Sequence, residues 1–231
     1  MRRHLHRLAK SVDVLGLSMP LGINEIVSAS KSVVGACGKQ EGLLRIVIAE
    51  KEGSGGAAHT VLSVRPLPML PDKITLHMSQ KYRRTAGALA GAKTLSRAVE
   101  NAALREAHSC GAFDALLLDM NGHMAETTAR NIFIVSRGAL LTPPAEAILA
   151  GVTREAVIEL AGMGQIAVEE RHLDVNSLES ADEVFLTGSG VGVAGVCKVD
   201  DSRVYAAPGH ATSSLQQLYA ELIDRESSWT V

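Results

Sequence analysis

Phe113-Asp114-Ala115-Leu116-Leu117-Leu118-Asp119, then Met120-Asn121-Gly122, then His123-Met124-Ala125-Glu126-Thr127, is the stretch on which the reading of the fold turns. An apolar run ends at Asp119, and Asn121-Gly122 is the residue pair best suited to the positive backbone angles of a tight turn. The stretch therefore reads as a β-hairpin. Downstream, Asn131-Ile132-Phe133-Ile134-Val135, the turn Ser136-Arg137-Gly138 and Ala139-Leu140-Leu141 continue the meander. A helix starting at Thr153, whose hydroxyl is suited to cap it, carries Val157, Leu160 and Ala161 inward. Strands at Ile166 to Val168, Val184 to Thr187 and Val191 to Val196 follow. Upstream, Leu95, Ala98, Val99, Ala102 and Ala103 mark one face of a helix that stops at Gly111. Sheet and helix alternate, which predicts a mixed α/β (α+β) fold.

Nearer the N-terminus, Leu5, Leu8, Val12 and Leu15 recur at helical spacing. Leu43 to Ala49 and Val61 to Val64 read as two strands joined through Gly53-Ser54-Gly55-Gly56. A phosphate-binding loop would lead into a helix, whereas this one leads into a strand, so the glycines read as a turn. Pro66, Pro68 and Pro71 interrupt regular structure, and Lys81-Tyr82-Arg83-Arg84-Thr85-Ala86-Gly87 reads as an exposed loop. This places a domain boundary near residue 85, with a smaller domain over 1–85 and a larger one over 86–231.

Composition narrows the function. Lys and Arg number 23 against 25 Asp and Glu, a formal charge of −2, so nothing draws the chain toward phosphate backbones or anionic lipid. Three Phe, three Tyr and one Trp make few stacking platforms, and no nucleic-acid partner is expected. Cys37, Cys110 and Cys197 are odd in number and far apart, which suits a reducing compartment, and Cys110 and Cys197 read as small core hydrophobes. His6, Arg7, Lys10 and Ser11 break up any apolar leader, and no later run approaches the about 20 apolar residues of a membrane span, so a cytoplasmic location without membrane contact is expected. His59, His77, His108, His123, His172 and His210 show no metal-ligand spacing along the chain, and no metal is expected. The basic group Lys81, Arg83 and Arg84 reads as a solvated loop, with a carboxylate-rich substrate as the alternative.

Taken singly, Lys93 near a helix start and Glu126 in a hairpin read as solvated charges. Taken in order, the segments are more specific: His4-Leu5-His6-Arg7-Leu8, Ala90-Gly91-Ala92-Lys93-Thr94-Leu95-Ser96-Arg97, Glu126 followed by Asn131-Ile132-Phe133, Thr142-Pro143-Pro144, Leu149-Ala150-Gly151-Val152-Thr153-Arg154, and Ala181-Asp182-Glu183-Val184-Phe185-Leu186-Thr187 leading into Gly188-Ser189. This ordered set resembles the class IV, or fold-type IV, pyridoxal-phosphate enzymes, among them branched-chain aminotransferases, D-amino-acid aminotransferases and aminodeoxychorismate lyases.

The resemblance implies a two-domain fold and pyridoxal 5'-phosphate as cofactor. It implies that Lys93 is the catalytic residue, forming the Schiff base and shuttling the substrate Cα proton, because an unprotonated primary amine can do both. It implies that Glu126 faces the pyridine nitrogen and keeps the ring an electron sink. Arg7, Val152, Thr153, Gly188 and Ser189 would hold the phosphate, and Leu149 would pack on the ring face. It further implies a small-molecule amino substrate and a homodimer. Lys93 followed four residues later by Arg97 looks more like the lyases, so the expected reaction takes 4-amino-4-deoxychorismate to 4-aminobenzoate and pyruvate, with Arg97 a candidate substrate contact. A branched-chain or D-amino-acid aminotransferase is the alternative within the family. Relatives carry several dozen residues before the segment at His4, so an incomplete smaller domain is expected. A non-catalytic remnant of the fold is accordingly the alternative of another class.

Overall fold

A computed structural model of the chain describes residues 1–38, 41–53, 58–85, 87, 89–201 and 204–226. Its contacts divide the chain into two compact units, one built on Met1–Met69 and the other on Leu70–Arg225. The boundary thus lies between Met69 and Leu70 and not near residue 85. The physical reason is that strand β3 (Thr75–Arg83) pairs in parallel with β4 (Asp114–Leu118), which ties the segment before residue 85 into the larger sheet.

In the first unit, helices α1 (Arg2–Val14) and α2 (Ile23–Cys37) bury Leu5, Ile26 and Val27 against Leu8, Met19, Leu21 and Ile46. The Glu25 carboxylate accepts a bond from Gly22 N (2.7 Å) at the start of α2, and Gly38 ends the helix in the left-handed conformation. Strands β1 (Leu43–Glu50) and β2 (Ala58–Arg65) form the expected antiparallel hairpin, in register from Leu43 opposite Arg65 to Glu50 opposite Ala58. Of the glycine turn joining them, Ser54, Gly55 and Gly56 lie outside the described residues, as does Ala86 of the loop read over Lys81–Gly87.

The second unit is organised around a nine-stranded sheet. The hairpin read at Asn121-Gly122 is β4 with β5 (Met124–Thr127), antiparallel, with Gly122 at φ 89° in the turn. Beyond it, β6 (Asn131–Ser136) meets β5 at its start, β7 (Ala139–Thr142) at its end and β9 (Glu183–Gly188) along its other edge. The strand read at Ile166 to Val168 instead begins at Val168 (β8, Val168–Glu170) and pairs in parallel with β7. At the far ends of the sheet stand β10 (Gly192–Val196) and β11 (Lys198–Val199). Only Cys197 separates these two strands in sequence, so the sheet must curl until its opposite ends become neighbours.

Alternation along the strands builds two cores from that curvature. Leu116, Ile132, Ile134, Val184, Leu186, Ala194 and Val196 share one cluster with Leu76 and Val199. Phe133, Val135, Phe185 and Val193 point the other way, onto Val157 and Ala161 of α4 (Val152–Met163) and Leu215 of α5 (His210–Glu226). The rings of Phe133 and Phe185 stack at 4.9 Å between centroids.

Local expectations needed three corrections. Helix α3 (Ala98–Ser109) buries Ala103 and Ala107 against Ala115 and Leu117, while Leu95 precedes the helix and Val99 is exposed. Small residues let α3 sit close to β4, and that close face excludes the larger Leu95 and Val99. Helix α4 begins one residue earlier than read and follows Gly151, with no side-chain cap; the Thr153 hydroxyl lies 3.2 Å from Tyr219 Oη instead. Cys110 is exposed at the end of α3, because the helix stops there and the chain turns at Gly111 (φ 74°).

Candidate active site

The tight link from β5 to β6 sets the centre of the site. Glu126 stands opposite Asn131 across the two strands, which puts both side chains on one face. Thr127 N donates to Arg130 O (2.8 Å), and Arg130 N donates back to Thr127 Oγ1 (3.1 Å), closing the turn. Arg130 Nη1 reaches the fully buried Asp114 carboxylate at 2.5 Å, and Thr128 Oγ1 donates to the same group at 2.6 Å. These charged hydrogen bonds lock the turn onto β4.

Glu126 is 8% exposed, and its carboxylate has several partners. Asn131 Nδ2 donates to Glu126 Oε2 (3.2 Å) and to Leu149 O (2.9 Å), while Leu149 N lies 3.3 Å from both carboxylate oxygens. Arg84 Nε is 2.9 Å from Glu126 Oε1, but its N–H is not aimed for a hydrogen bond, so the contact is Coulombic. The rest of that guanidinium is fixed by Ala90 O (2.7 Å) and Glu100 Oε1 (3.4 Å). Burial pushes the Glu126 carboxyl up from 4.5 to about 7; Arg84, the Leu149 amide and Lys93 oppose this, and Glu100 adds to it.

The residues named from sequence fall as follows. Lys93 is exposed on the loop between β3 and α3, and its charge favours ionised Glu126. Leu149 bonds Glu126 and Asn131 through its backbone, as given above. Val152 and Thr153, both buried, form the first turn of α4. Gly188 and the exposed Ser189 follow Thr187, which pairs with Asn131 across β6 and β9. Arg97 Nη2 donates to Thr128 O in the locked turn. Arg7 is half-buried on α1 in the first unit. The second unit therefore brings Glu126 and Leu149 onto the Asn131 side chain, with the start of α4 at Gly151 and β9 at Thr187 beside the same residue and Lys93 close enough to be felt electrostatically.

The residues present fit pyridoxal phosphate. A buried carboxyl poised near neutrality is suited to hold a proton shared with a ring nitrogen. The α4 N-terminus lacks a side-chain cap, so its first amides remain available to an anion. Beside it, Thr187 Oγ1 is buried with no hydrogen-bond partner among the described residues. Gly151 makes the close approach of α4 possible: a Cβ there would stand 2.0 Å from Asn131 Oδ1.

Three of these residues escaped sequence reasoning. Arg84 was hidden in a basic run that reads as solvent-facing. Asn131 stands in a family-like segment and starts a strand, but no role was read for its side chain, although an amide five residues after the acid was the available signal. Gly151 carries no side chain to mark it, and its constraint exists only once Asn131 approaches it.

Comparison with known proteins agrees with this geometry. The family model for amino-transferase class IV matches residues 1–199. A probable branched-chain-amino-acid aminotransferase of Rickettsia conorii is 31% identical over 211 residues, spanning 87% of this chain and 72% of that protein. The crystal structure of a branched-chain aminotransferase from Thermoproteus uzoniensis with norvaline superposes at a TM-score of 0.88, with 28% identity over 96% of this chain and 78% of that one. A putative 4-amino-4-deoxychorismate lyase from Legionella pneumophila superposes at 0.87 over 94% of this chain and 84% of that one; at 24% identity this likeness bears on the fold alone. Because the family match runs from α1 through β11 and takes in every segment that meets at Glu126, the chain belongs to the class IV aminotransferases and is a pyridoxal-phosphate-dependent enzyme.

Proposed function

We propose that this enzyme transfers the amino group of branched aliphatic amino acids to a 2-oxo acid, with Lys93 as its catalytic amine. The observation that carries the chemistry is the buried Glu126 carboxyl, pushed up to about 7 and held by Arg84, Asn131 and Leu149. The substrate class is supported by relatives named as branched-chain aminotransferases, about 30% identical over most of this chain. Bound pyridoxal phosphate supplies an electron-withdrawing ring that acidifies the substrate Cα–H. Glu126 would hold a proton on the ring nitrogen, and the Lys93 amine would take the proton from the substrate Cα and pass it to the cofactor carbon within that half-reaction; in the second half the same amine would return a proton to the Cα derived from the 2-oxo acid. Val152 and Thr153 offer amides to the phosphate, Gly188 and Ser189 add donors, and Leu149 packs against the ring face. Arg7 is assigned to the phosphate on its motif alone. A cytoplasmic homodimer belongs to the same reading.

The spacing of Lys93 and Arg97 favours a second reading, the lyase reaction on 4-amino-4-deoxychorismate. In that reaction Lys93 would remove the same Cα proton, pyruvate would leave, and the ring would aromatise to 4-aminobenzoate. Against it, the Arg97 guanidinium is engaged by Thr128 O.

Purified cofactor-loaded enzyme given L-leucine and 2-oxoglutarate is expected to form glutamate, and Lys93→Ala to abolish this while keeping its fold. Pyruvate and 4-aminobenzoate formed from aminodeoxychorismate, with no glutamate from any branched donor, would replace the first reading with the second.

A further inference from the structure

The turn between β4 and β5 and the segment after β8 bring together side chains that the amino-transfer site does not use. Asp119, His123 and His172 each place a ligating atom within 4.8 Å of the others. The two imidazole rings lie 4.9 Å apart between centroids, tilted by 33°. His123 Nδ1 is 3.3 Å from Asp119 Oδ2, and His123 Nε2 is 3.7 Å from Asp174 Oδ1.

Backbone bonds fix this arrangement. Asp119 N donates to His123 O (2.8 Å), and Asp119 Oδ1 accepts from Asn121 N and His123 N, both at 2.8 Å. One carboxylate oxygen thus holds the turn, which leaves Oδ2 facing the rings. Next to the histidines, Met124 N donates to Leu173 O (2.8 Å) in an isolated antiparallel bridge, and both residues are buried. His123 and His172 therefore flank a pinned bridge, although nearly fifty residues separate them in sequence. Each imidazole offers a nitrogen lone pair to a cation.

We propose that Asp119, His123 and His172 bind one divalent transition-metal ion of the zinc type. The ion takes one carboxylate oxygen and two imidazole nitrogens, with water in the remaining position, while Asp174 faces the other ring nitrogen of His123. Ligand bonds of about 2.0–2.2 Å in a tetrahedron put donor atoms roughly 3.4 Å apart. Asp119 and His123 already stand at that separation, and the ligand atom of His172, exposed on its loop, lies within 4.8 Å of the others and needs to close by at most about 1.4 Å. A mixed N and O donor set selects zinc or cobalt over calcium or magnesium. The bound ion joins the β4–β5 turn to the segment after β8.

The test uses the full chain, loaded with cofactor and free of any purification tag. Titration calorimetry with Zn²⁺ is expected to give one ion per chain. His172→Ala, at an exposed position that does not threaten folding, is expected to weaken binding by at least about tenfold, and Asp119→Asn to weaken it similarly. His59→Ala, in the first unit, is expected to leave the affinity unchanged. Co²⁺ serves as a second probe: its visible ligand-field band is expected in the wild type and lost in His172→Ala, while the cofactor absorbance stays the same in both. Absence of uptake, or equal affinity in wild type and His172→Ala, overturns the proposal; so does weakening by His59→Ala.

Discussion

Burial moves the Glu126 carboxyl well away from its behaviour in water. In the unfolded chain its carboxyl loses its proton near 4.5, whereas in the cofactor-free fold it keeps it until about 7. Between those values the folded state binds more protons than the unfolded one, so stability falls as pH rises through the window and the penalty is complete above it. At about 1.4 kcal/mol per pH unit this limb amounts to roughly 3 kcal/mol. Denaturant unfolding of cofactor-free protein at pH 5 and pH 8 is expected to show that loss, and Glu126→Gln to flatten it; an equal slope in the variant would remove Glu126 as the source. Lys93 and Glu126 stand out in the sequence because each lies in a recognisable segment, and the fold brings the Lys93 charge within electrostatic reach of Glu126. Arg84 does not stand out, because its distinction is a partner more than forty residues away. Nothing in Lys81-Tyr82-Arg83-Arg84 tells which of its three cations turns inward.

Among the elements, α5 shows how a motif can be structural and not chemical. Glu183, on β9, accepts bonds from Ala211 N (2.9 Å), Thr212 N (2.9 Å) and Thr212 Oγ1 (2.7 Å), so a strand caps the helix that packs over it. Gly209 is needed just ahead of it, since a Cβ there would lie 2.1 Å from Glu183 Cδ. Its neighbour Asp182 does the same for the β6–β7 turn, accepting from Arg137 N at 2.9 Å. Glu183→Ala leaves buried donors without an acceptor and is expected to cost about 2 kcal/mol, a melting temperature lower by roughly 4–8 °C. Glu183→Gln is expected to recover part of that loss, and an unchanged melting temperature in Glu183→Ala would show that the cap does not matter. Hairpins such as β4–β5 were readable because turn chemistry is local. The start of α4 was not, since Thr153 is a good capping residue by type and only the tertiary position of Tyr219 redirects its hydroxyl. Of the stripe read on α3 only Ala103 is buried, for a related reason: the apolar face that mattered was the one made of alanines.

Across the whole molecule, mixed sheet and helix were foreseen, and the position of the boundary was not. The prolines at 66, 68 and 71 marked it, but the basic loop near 85 looked the stronger break because the parallel pairing of β3 with β4 is non-local and leaves no trace in either segment. Met69 is 93% exposed at the boundary, with no regular structure around it. A protease of broad specificity is therefore expected to make its first cut between Pro66 and Pro71, as read by mass spectrometry. A first cut within β3 would place the weak point elsewhere. The curled sheet has a further consequence, for synthesis. Strand β3 waits on one side for β4 and on the other for β11, whose Lys198 and Val199 pair with Thr75 and Leu76. On the ribosome β3 emerges early and β11 late, so through most of translation the nascent sheet is an open ribbon with a bare edge, able to pair with another chain. That edge of β3 is covered only when β11, just after Cys197, leaves the exit tunnel, and until then the growing chain depends on crowding partners staying away from it.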